Sequence, residues 1–254
     1  MTARVLVTRP AGTWPALAAR FQGTPVLIQM TETATQVEPI DPRPGDEAIG
    51  RLGSYDWLVV TSGRAVSALV RRLAARGVAG LPPDLRVAAV GPATAGSLSG
   101  IGARVDLVAA DPGSDGLAAS LGPLLTGGSR VLVVRPEEAS SPLALALRAG
   151  GAEVDEAPLY RTIASECAGE LADAAIAGAF AAVVFTAPSS LSLWLDAVGA
   201  RRGALVHALA RVARVAIGPT TSAYLASLGL PADAVASAPT EDAVGDAIAH
   251  ALRA

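Results

Sequence analysis

The sequence contains no lysine; all 20 of its basic residues are arginine. Chemistry that needs an amine nucleophile or a phosphate-gripping lysine, such as Schiff-base, pyridoxal or P-loop catalysis, is thereby disfavoured. One cysteine (Cys167) and two histidines (His207, His250) fall short of the usual zinc ligand set, so no metal is expected. Cys167 precedes a helical stretch with no histidine near it and reads as a small packing residue. Both histidines lie on helical stretches, as surface or packing residues. No apolar run approaches the ~18 residues of a membrane span, and the N-terminus has no apolar segment of secretory length. No membrane and a cytoplasmic location are therefore expected. A net charge of −3 lacks the basic face that nucleic acid requires, so an anionic ligand would be held by local dipoles and a few arginines.

What the chain does have is 51% hydrophobic and 17% charged residues over 254 positions, the balance of an aliphatic, alanine-rich α/β protein. It also says nearly the same thing twice. Arg4-Val-Leu-Val-Thr-Arg-Pro10 returns as Arg130-Val-Leu-Val-Val-Arg-Pro136, and Val90-Gly-Pro-Ala-Thr-Ala95 returns as Ile217-Gly-Pro-Thr-Thr-Ser222, 126 and 127 residues further on. Trp57-Leu-Val-Val-Thr-Ser62 pairs with Ala182-Val-Val-Phe-Thr-Ala187, and Ser114-Asp-Gly-Leu117 loosely with Thr240-Glu-Asp-Ala243. A repeat of about half the chain favours two domains.

Short Val/Leu-rich runs alternate with helical stretches, the pattern of a parallel sheet wrapped by helices. Ten strands are expected, the first at Val5–Thr8, Pro25–Met30, Trp57–Thr61, Val87–Val90 and Val105–Ala109. The second five are Val131–Val134, Glu153–Pro158, Ala182–Thr186, Val212–Ile217 and Ala234–Ala238. Five strands per repeat with interleaved helices is the flavodoxin-like count. Thr31–Pro39 and Tyr160–Glu166 follow the second strand of each repeat and read as polar, extended linkers. Crossing at both would give each domain two strands from one repeat and three from the other; the pattern alone does not choose between this exchange and two tandem domains.

Open parallel sheets bind ligands beyond the carboxyl ends of their strands, where helices begin. The polar residues cluster there: Thr8, Arg9, Thr61, Ser62, Arg64, Thr94, Arg135, Thr186, Ser189, Ser190, Thr220 and Thr221. First-turn amides lack intrahelical partners and carry the positive end of the helix dipole, so carboxylates and phosphates are favoured guests. Each Ser or Thr taken alone reads as an N-cap. The pairs exceed what a cap needs, and the Gly-Pro before Thr94 and before Thr220 suggests a tight turn close to a guest. Arg64 at a helix start opposes the dipole, which a bound carboxylate would explain. Tyr160, one of three tyrosines, stands where a hinge residue would face a cleft or pack the linkers. Asp115, the pair Glu137-Glu138 and the pair Glu241-Asp242 read as helix N-terminal charges.

Together these segments, with Gly113-Ser-Asp-Gly-Leu117, Pro158-Leu-Tyr-Arg161 and Phe185-Thr-Ala-Pro-Ser-Ser190, resemble the uroporphyrinogen-III synthase family over essentially the whole chain. The resemblance implies the exchanged arrangement: two flavodoxin-like parallel-sheet domains joined by a two-stranded linker. Residues 1–34 plus 165–254 form the first, 38–161 the second, and 35–37 and 162–164 the connections. It also implies a substrate, hydroxymethylbilane, cyclised to uroporphyrinogen III in the cleft between the domains with inversion of ring D and loss of water. No cofactor is implied. Tyr160 matches a tyrosine that assists departure of the ring A hydroxyl. Thr61, Ser62 and Arg64 match a substrate-contacting turn, Thr94 a cleft threonine, and Thr220 and Thr221 the opposite wall. Gly63 departs from the bulkier residue common in that turn. Arg9, Thr186, Ser189 and Ser190 complete the expected substrate contacts. The partner is the small-molecule substrate, with room for a transient hand-over from the preceding pathway enzyme, and a monomer is expected. Two alternatives stand beside it: a regulatory module of the same fold that senses tetrapyrroles or anions, and a periplasmic-type small-molecule binder. The chain shows no basic helix-turn-helix and no secretory segment, which weighs against both.

Overall fold

Strands at the centre of a parallel sheet are covered on both faces, so they read as unbroken apolar runs. Val5–Val7, Trp57–Val60, Val131–Val134 and Ala182–Phe185 are such runs, every residue at most 2% exposed. A computed structural model describes residues 2–111, 113–138 and 141–253. In chain order its elements are β1 (Ala3–Val7), α1 (Pro15–Arg20), β2 (Val26–Met30), β3 (Ala34–Val37), α2 (Arg43–Gly50), β4 (Trp57–Val60), α3 (Gly63–Ala75) and β5 (Arg86–Ala89). There follow α4 (Pro92–Ser99), β6 (Leu107–Val108), α5 (Ser114–Leu121), β7 (Arg130–Pro136), α6 (Pro142–Ala149), β8 (Glu153–Ala164) and α7 (Ala168–Ile176). The last are β9 (Ala182–Phe185), α8 (Pro188–Ala197), α9 (Arg202–Leu209), β10 (Ala213–Ala216), α10 (Pro219–Ser227), β11 (Ala234–Val235) and α11 (Glu241–Ala251).

The chain divides into two compact units, Met1–Thr35 with Thr162–Ala254, and Gln36–Arg161. In the first, a five-stranded parallel sheet has the order β11-β10-β9-β1-β2. Counted within that unit this is 2-1-3-4-5, the flavodoxin-like order, with its switch point between β1 and β9. The strand period of two sorts the core. Val5 and Val7 pack with Trp14, Leu17, Val244 and Ile248 on one face, while Leu6, Val183 and Phe185 pack with Leu171, Trp194 and Leu205 on the other.

The second unit holds a sheet of order β3-β8-β7-β4-β5-β6, in which β8, β7, β4, β5 and β6 are mutually parallel. Leu58, Val60, Leu132 and Val134 face Leu69 and Leu98, and Trp57, Val59, Val131 and Val133 face Leu117, Leu121 and Leu143. Each sheet thus takes strands from both halves of the chain: β1 and β2 lie beside β9, β10 and β11, and β7 and β8 beside β4, β5 and β6.

Several expectations are corrected. The described residues contain eleven strands, not ten, because part of the segment read as an extended linker is β3. The strand β8 runs for 12 residues, twice the expected length, and takes in 162–164. The helix α2 was missed because Arg-Pro-Gly reads as a loop; Pro44 sits in its first turn, where a missing N–H costs nothing. Its Gly45 lies so close to β8 that a Cβ would come within 2.7 Å of Leu159 Cδ2. At the sheet edges, Val105–Ala109 and Ala234–Ala238 contract to the two-residue strands β6 and β11. Cys167 is exposed rather than packed.

Candidate functional site

Four helices follow strand ends at the sheet centres: α3 after β4 and α4 after β5 in the second unit, α8 after β9 and α10 after β10 in the first. A side-chain cap is present on only one of them. Ser62 takes the N-cap of α3 in extended conformation, and its hydroxyl accepts the Ala65 amide at 3.1 Å. The N-caps of α4, α8 and α10 are Gly91, Ala187 and Gly218, none of which offers a side-chain acceptor. A proline follows each, pre-setting the first helical turn. Thr94, Ser189, Ser190, Thr220 and Thr221 therefore lie within the first turns, not at the caps as each would read alone. Gly91 and Gly218 are fully extended, with φ of 176° and −179°, a conformation that any residue adopts. A Cβ on either would meet nothing within 4 Å.

In the second unit Tyr160 is gathered to this edge. Its ring belongs to the core at 5% exposure, where β7 makes a register shift that sets Pro136 opposite it. Burial raises the phenol's pKa above its ordinary 10; the neighbouring Ser62 hydroxyl and the Arg64 charge pull it down, and Glu138 pushes it up. The neutral phenol is a proton donor at physiological pH. Thr94 is 5% exposed, and its hydroxyl takes no hydrogen-bond partner among the described residues. Thr61 and Arg64 are half-buried.

In the first unit, the equivalent edge lies at the switch point. The Thr186 hydroxyl donates to the Thr8 carbonyl at 2.6 Å, so its proton is already engaged. Arg9 stacks over Trp14 at 4.2 Å and bonds Thr13. Ser190 is buried, and its carbonyl accepts the Thr33 hydroxyl at 2.5 Å. Ser189 is half-buried. Thr220 is exposed, whereas Thr221 is 3% exposed with a hydroxyl that bonds no described residue.

Two charged groups depart from the sequence reading. Arg135 at the end of β7 is held by Glu156 at 2.6 Å and by the carbonyls of Pro136 and Glu137. Glu137 is not a helix N-terminal charge: its carboxylate accepts the amides of Ile40 and Asp41 at 2.8 and 3.1 Å, which hold its pKa below the usual carboxylate value. Asp115, Glu241 and Asp242 do occupy first turns, and Glu241 also accepts the Leu17 amide in the first turn of α1. Sequence reading missed Glu138, Thr33 and Gln36 as parts of these edges, because their partners are remote in the chain. Among the described residues no group of three potential ligands could hold a metal, and no helix is long and apolar enough to cross a membrane. A cavity of about 520 Å³, lined by Leu73, Leu81, Leu85, Ile101 and Arg104, lies towards the amino end of β5 and shares no residue with these edges.

A model of the HEM4 family, described as uroporphyrinogen-III synthase HemD, matches residues 13–245. The chain is similar to the putative uroporphyrinogen-III synthase of Methanothermobacter thermautotrophicus, with 35% identity over 190 residues, 73% of this chain and 74% of that one. It shares 29% identity over 226 residues with the uroporphyrinogen-III synthase of Synechococcus elongatus, covering 86% and 83% of the two chains. Its fold is similar to the crystal structure of a mutant uroporphyrinogen III synthase from Thermus thermophilus, at a TM-score of 0.69, 22% identity and 99% coverage of both chains. The uroporphyrinogen-III synthetase of Helicobacter pylori gives a TM-score of 0.62 at 20% identity, covering 99% of this chain and all of that one.

Proposed function

The chain belongs to the uroporphyrinogen-III synthase family, and on that premise we propose that it closes hydroxymethylbilane to uroporphyrinogen III with inversion of ring D and loss of water. The observation that carries the reading is the trio of uncapped first turns at Gly91, Ala187 and Gly218, with hydroxyls inside the turns. Such turns suit a guest with many carboxylate arms without requiring a basic protein. Acetate and propionate arms would be divided between the two units, on Thr61, Ser62, Arg64 and Thr94 in one and on Arg9, Thr186, Ser189, Ser190, Thr220 and Thr221 in the other. The two units themselves would descend from one duplicated half-chain whose strands have been exchanged.

The proposed sequence of steps begins when ring A loses its hydroxyl as water, assisted by the neutral phenol of Tyr160, leaving an azafulvene. The substituted position of ring D attacks that carbon to give a spiro intermediate. Fragmentation and reclosure then deliver ring D inverted, and the ring proton lost on reclosure returns to the Tyr160 phenolate, leaving one water as the only other product. The bilane also cyclises unaided to the unrearranged isomer. The protein's task is therefore orientation, bringing the substituted carbon rather than the free one to the electrophile.

The test is to supply freshly made hydroxymethylbilane and separate the cyclised isomers. Uroporphyrinogen III is expected to dominate. Accumulation of the symmetric isomer alone, at the rate seen without protein, would overturn the enzymatic reading.

A further inference from the structure

Thr33 and Gln36 stand three residues apart around β3, and each sends its side chain to the first turn of a different anchoring helix. The Thr33 hydroxyl, fully buried, donates to the Ser190 carbonyl of α8 at 2.5 Å. The Gln36 amide donates to the Arg64 carbonyl of α3 at 3.0 Å. Neighbouring bonds hold the same stretch: Ser165 donates its hydroxyl to the Glu32 carbonyl at 2.6 Å and its amide to the Thr33 carbonyl at 3.1 Å. Arg161 donates to the Glu38 carbonyl at 3.2 Å, and Glu38 pairs with Arg72 at 3.0 Å.

Both acceptors are carbonyls of first-turn residues, the turns whose amides and hydroxyls would meet substrate carboxylates. Backbone carbonyls there already belong to the helix ladder, so neither side chain is needed to satisfy a lone buried acceptor. What each bond adds is a fixed orientation of the turn.

We infer that Thr33 and Gln36 are positioning residues for substrate binding, one for the α8 anchor and one for the α3 anchor. The inference rests on the synthase reading above. Because the anchors hold the carboxylate arms before and during the reaction, loss of either bond removes uniform binding, which raises KM and leaves kcat in place.

The experiment compares Thr33→Val, Thr33→Ser and Gln36→Met in the full chain, with hydroxymethylbilane as substrate and isomer III as product. Thr33→Val and Gln36→Met are expected to raise KM about three- to tenfold, the worth of one hydrogen bond, with kcat within about twofold of the parent. Thr33→Ser, which keeps the hydroxyl, is expected to retain the parental KM. A structural role alone would lower the melting temperature and leave KM unchanged, and that result overturns the inference, as does a Thr33→Ser variant no better than Thr33→Val. If Thr33→Val does not fold, Gln36→Met at its half-buried site decides by the same criterion. A parent protein that produces no isomer III defeats the synthase reading, and this inference with it. An active parent whose variants keep parental kinetics defeats the inference alone.

Discussion

Thr8 and Thr186 bond each other twice across the switch point of the first sheet. The Thr186 hydroxyl donates to the Thr8 carbonyl at 2.6 Å, and the Thr8 hydroxyl accepts the Thr186 amide at 3.1 Å. Thr8 also donates to the Val184 carbonyl at 2.9 Å and is 2% exposed. The pair closes the gap between β1 and β9 at the carboxyl edge, where the parallel ladder runs out. Thr8→Val leaves the Thr186 amide without that acceptor and is expected to cost about 1–3 kcal/mol. Urea denaturation checks it, with the midpoint shifting at constant slope; Thr8→Ser should recover most of the loss.

Tyr160→Phe keeps the buried ring and removes the donor. Turnover is expected to fall by on the order of a hundredfold, the usual worth of a positioned acid, while the circular dichroism spectrum and melting temperature stay near those of the parent. Because the phenol's pKa is raised above 10, the parent's alkaline rate limb should show no break from this residue below that value. Parental turnover in the variant would remove Tyr160 from the chemistry.

Thr221→Ala separates binding from stability. Thr221 is 3% exposed in the first turn of α10, and its hydroxyl bonds no described residue, so its removal should cost less than about 1 kcal/mol of folding free energy. A KM several times the parental value is expected in steady-state kinetics. An unchanged KM would exclude the hydroxyl from substrate binding.

Gly116 is the opposite case, a position with no tolerance. A Cβ there would collide with the carbonyl of Asp111. Gly116→Ala is expected to destabilise by about 3 kcal/mol or more, as a backbone must move to admit it. Gly50→Ala serves as control, since nothing lies within 4 Å of a Cβ at that site. Thermal unfolding of the pair gives the comparison.

The Tyr55 phenol donates to Asp155 at 2.7 Å; burial first, then that bond, pushes its pKa up to about 12. The folded state therefore holds a proton that the unfolded chain releases near its ordinary pKa of about 10. Stability from this source is fully present below pH 10 and is lost as pH rises towards 12. Tyr55→Phe should flatten that part of the stability curve, measured by denaturant midpoints from pH 9 to 11.

Most of the element pattern was legible because it depends on near neighbours. The buried runs Val5–Val7, Trp57–Val60, Val131–Val134 and Ala182–Phe185 declare strands by composition alone, and the prolines at 92, 188 and 219 mark helix starts. A two-residue edge such as β6 or β11 has too few positions for a period to show. β3 escaped because Thr-Gln-Val in a polar context is extended in any reading, paired or not. The placement of Thr94, Ser189 and Thr221 just past a strand and just inside a helix was also readable, since it follows from the local alternation of strand and helix.

What each polar side chain does with its hydrogen bonds was not readable. Arg135 and Arg64 stand in similar sequence settings, yet one is gripped by Glu156 from the adjacent strand and the other lies beside the Tyr160 phenol. The sequence alone determined the alternation of strands and helices, the position of hydroxyls at their junctions and the absence of lysine chemistry, because these depend on residues within a turn or two of each other. The tertiary structure decided that Thr186 engages Thr8 from 178 residues away, that Thr33 reaches Ser190 and that Glu137 clamps Ile40 and Asp41. Such partners meet only when distant strands close into one sheet, and no local period records which strands those will be.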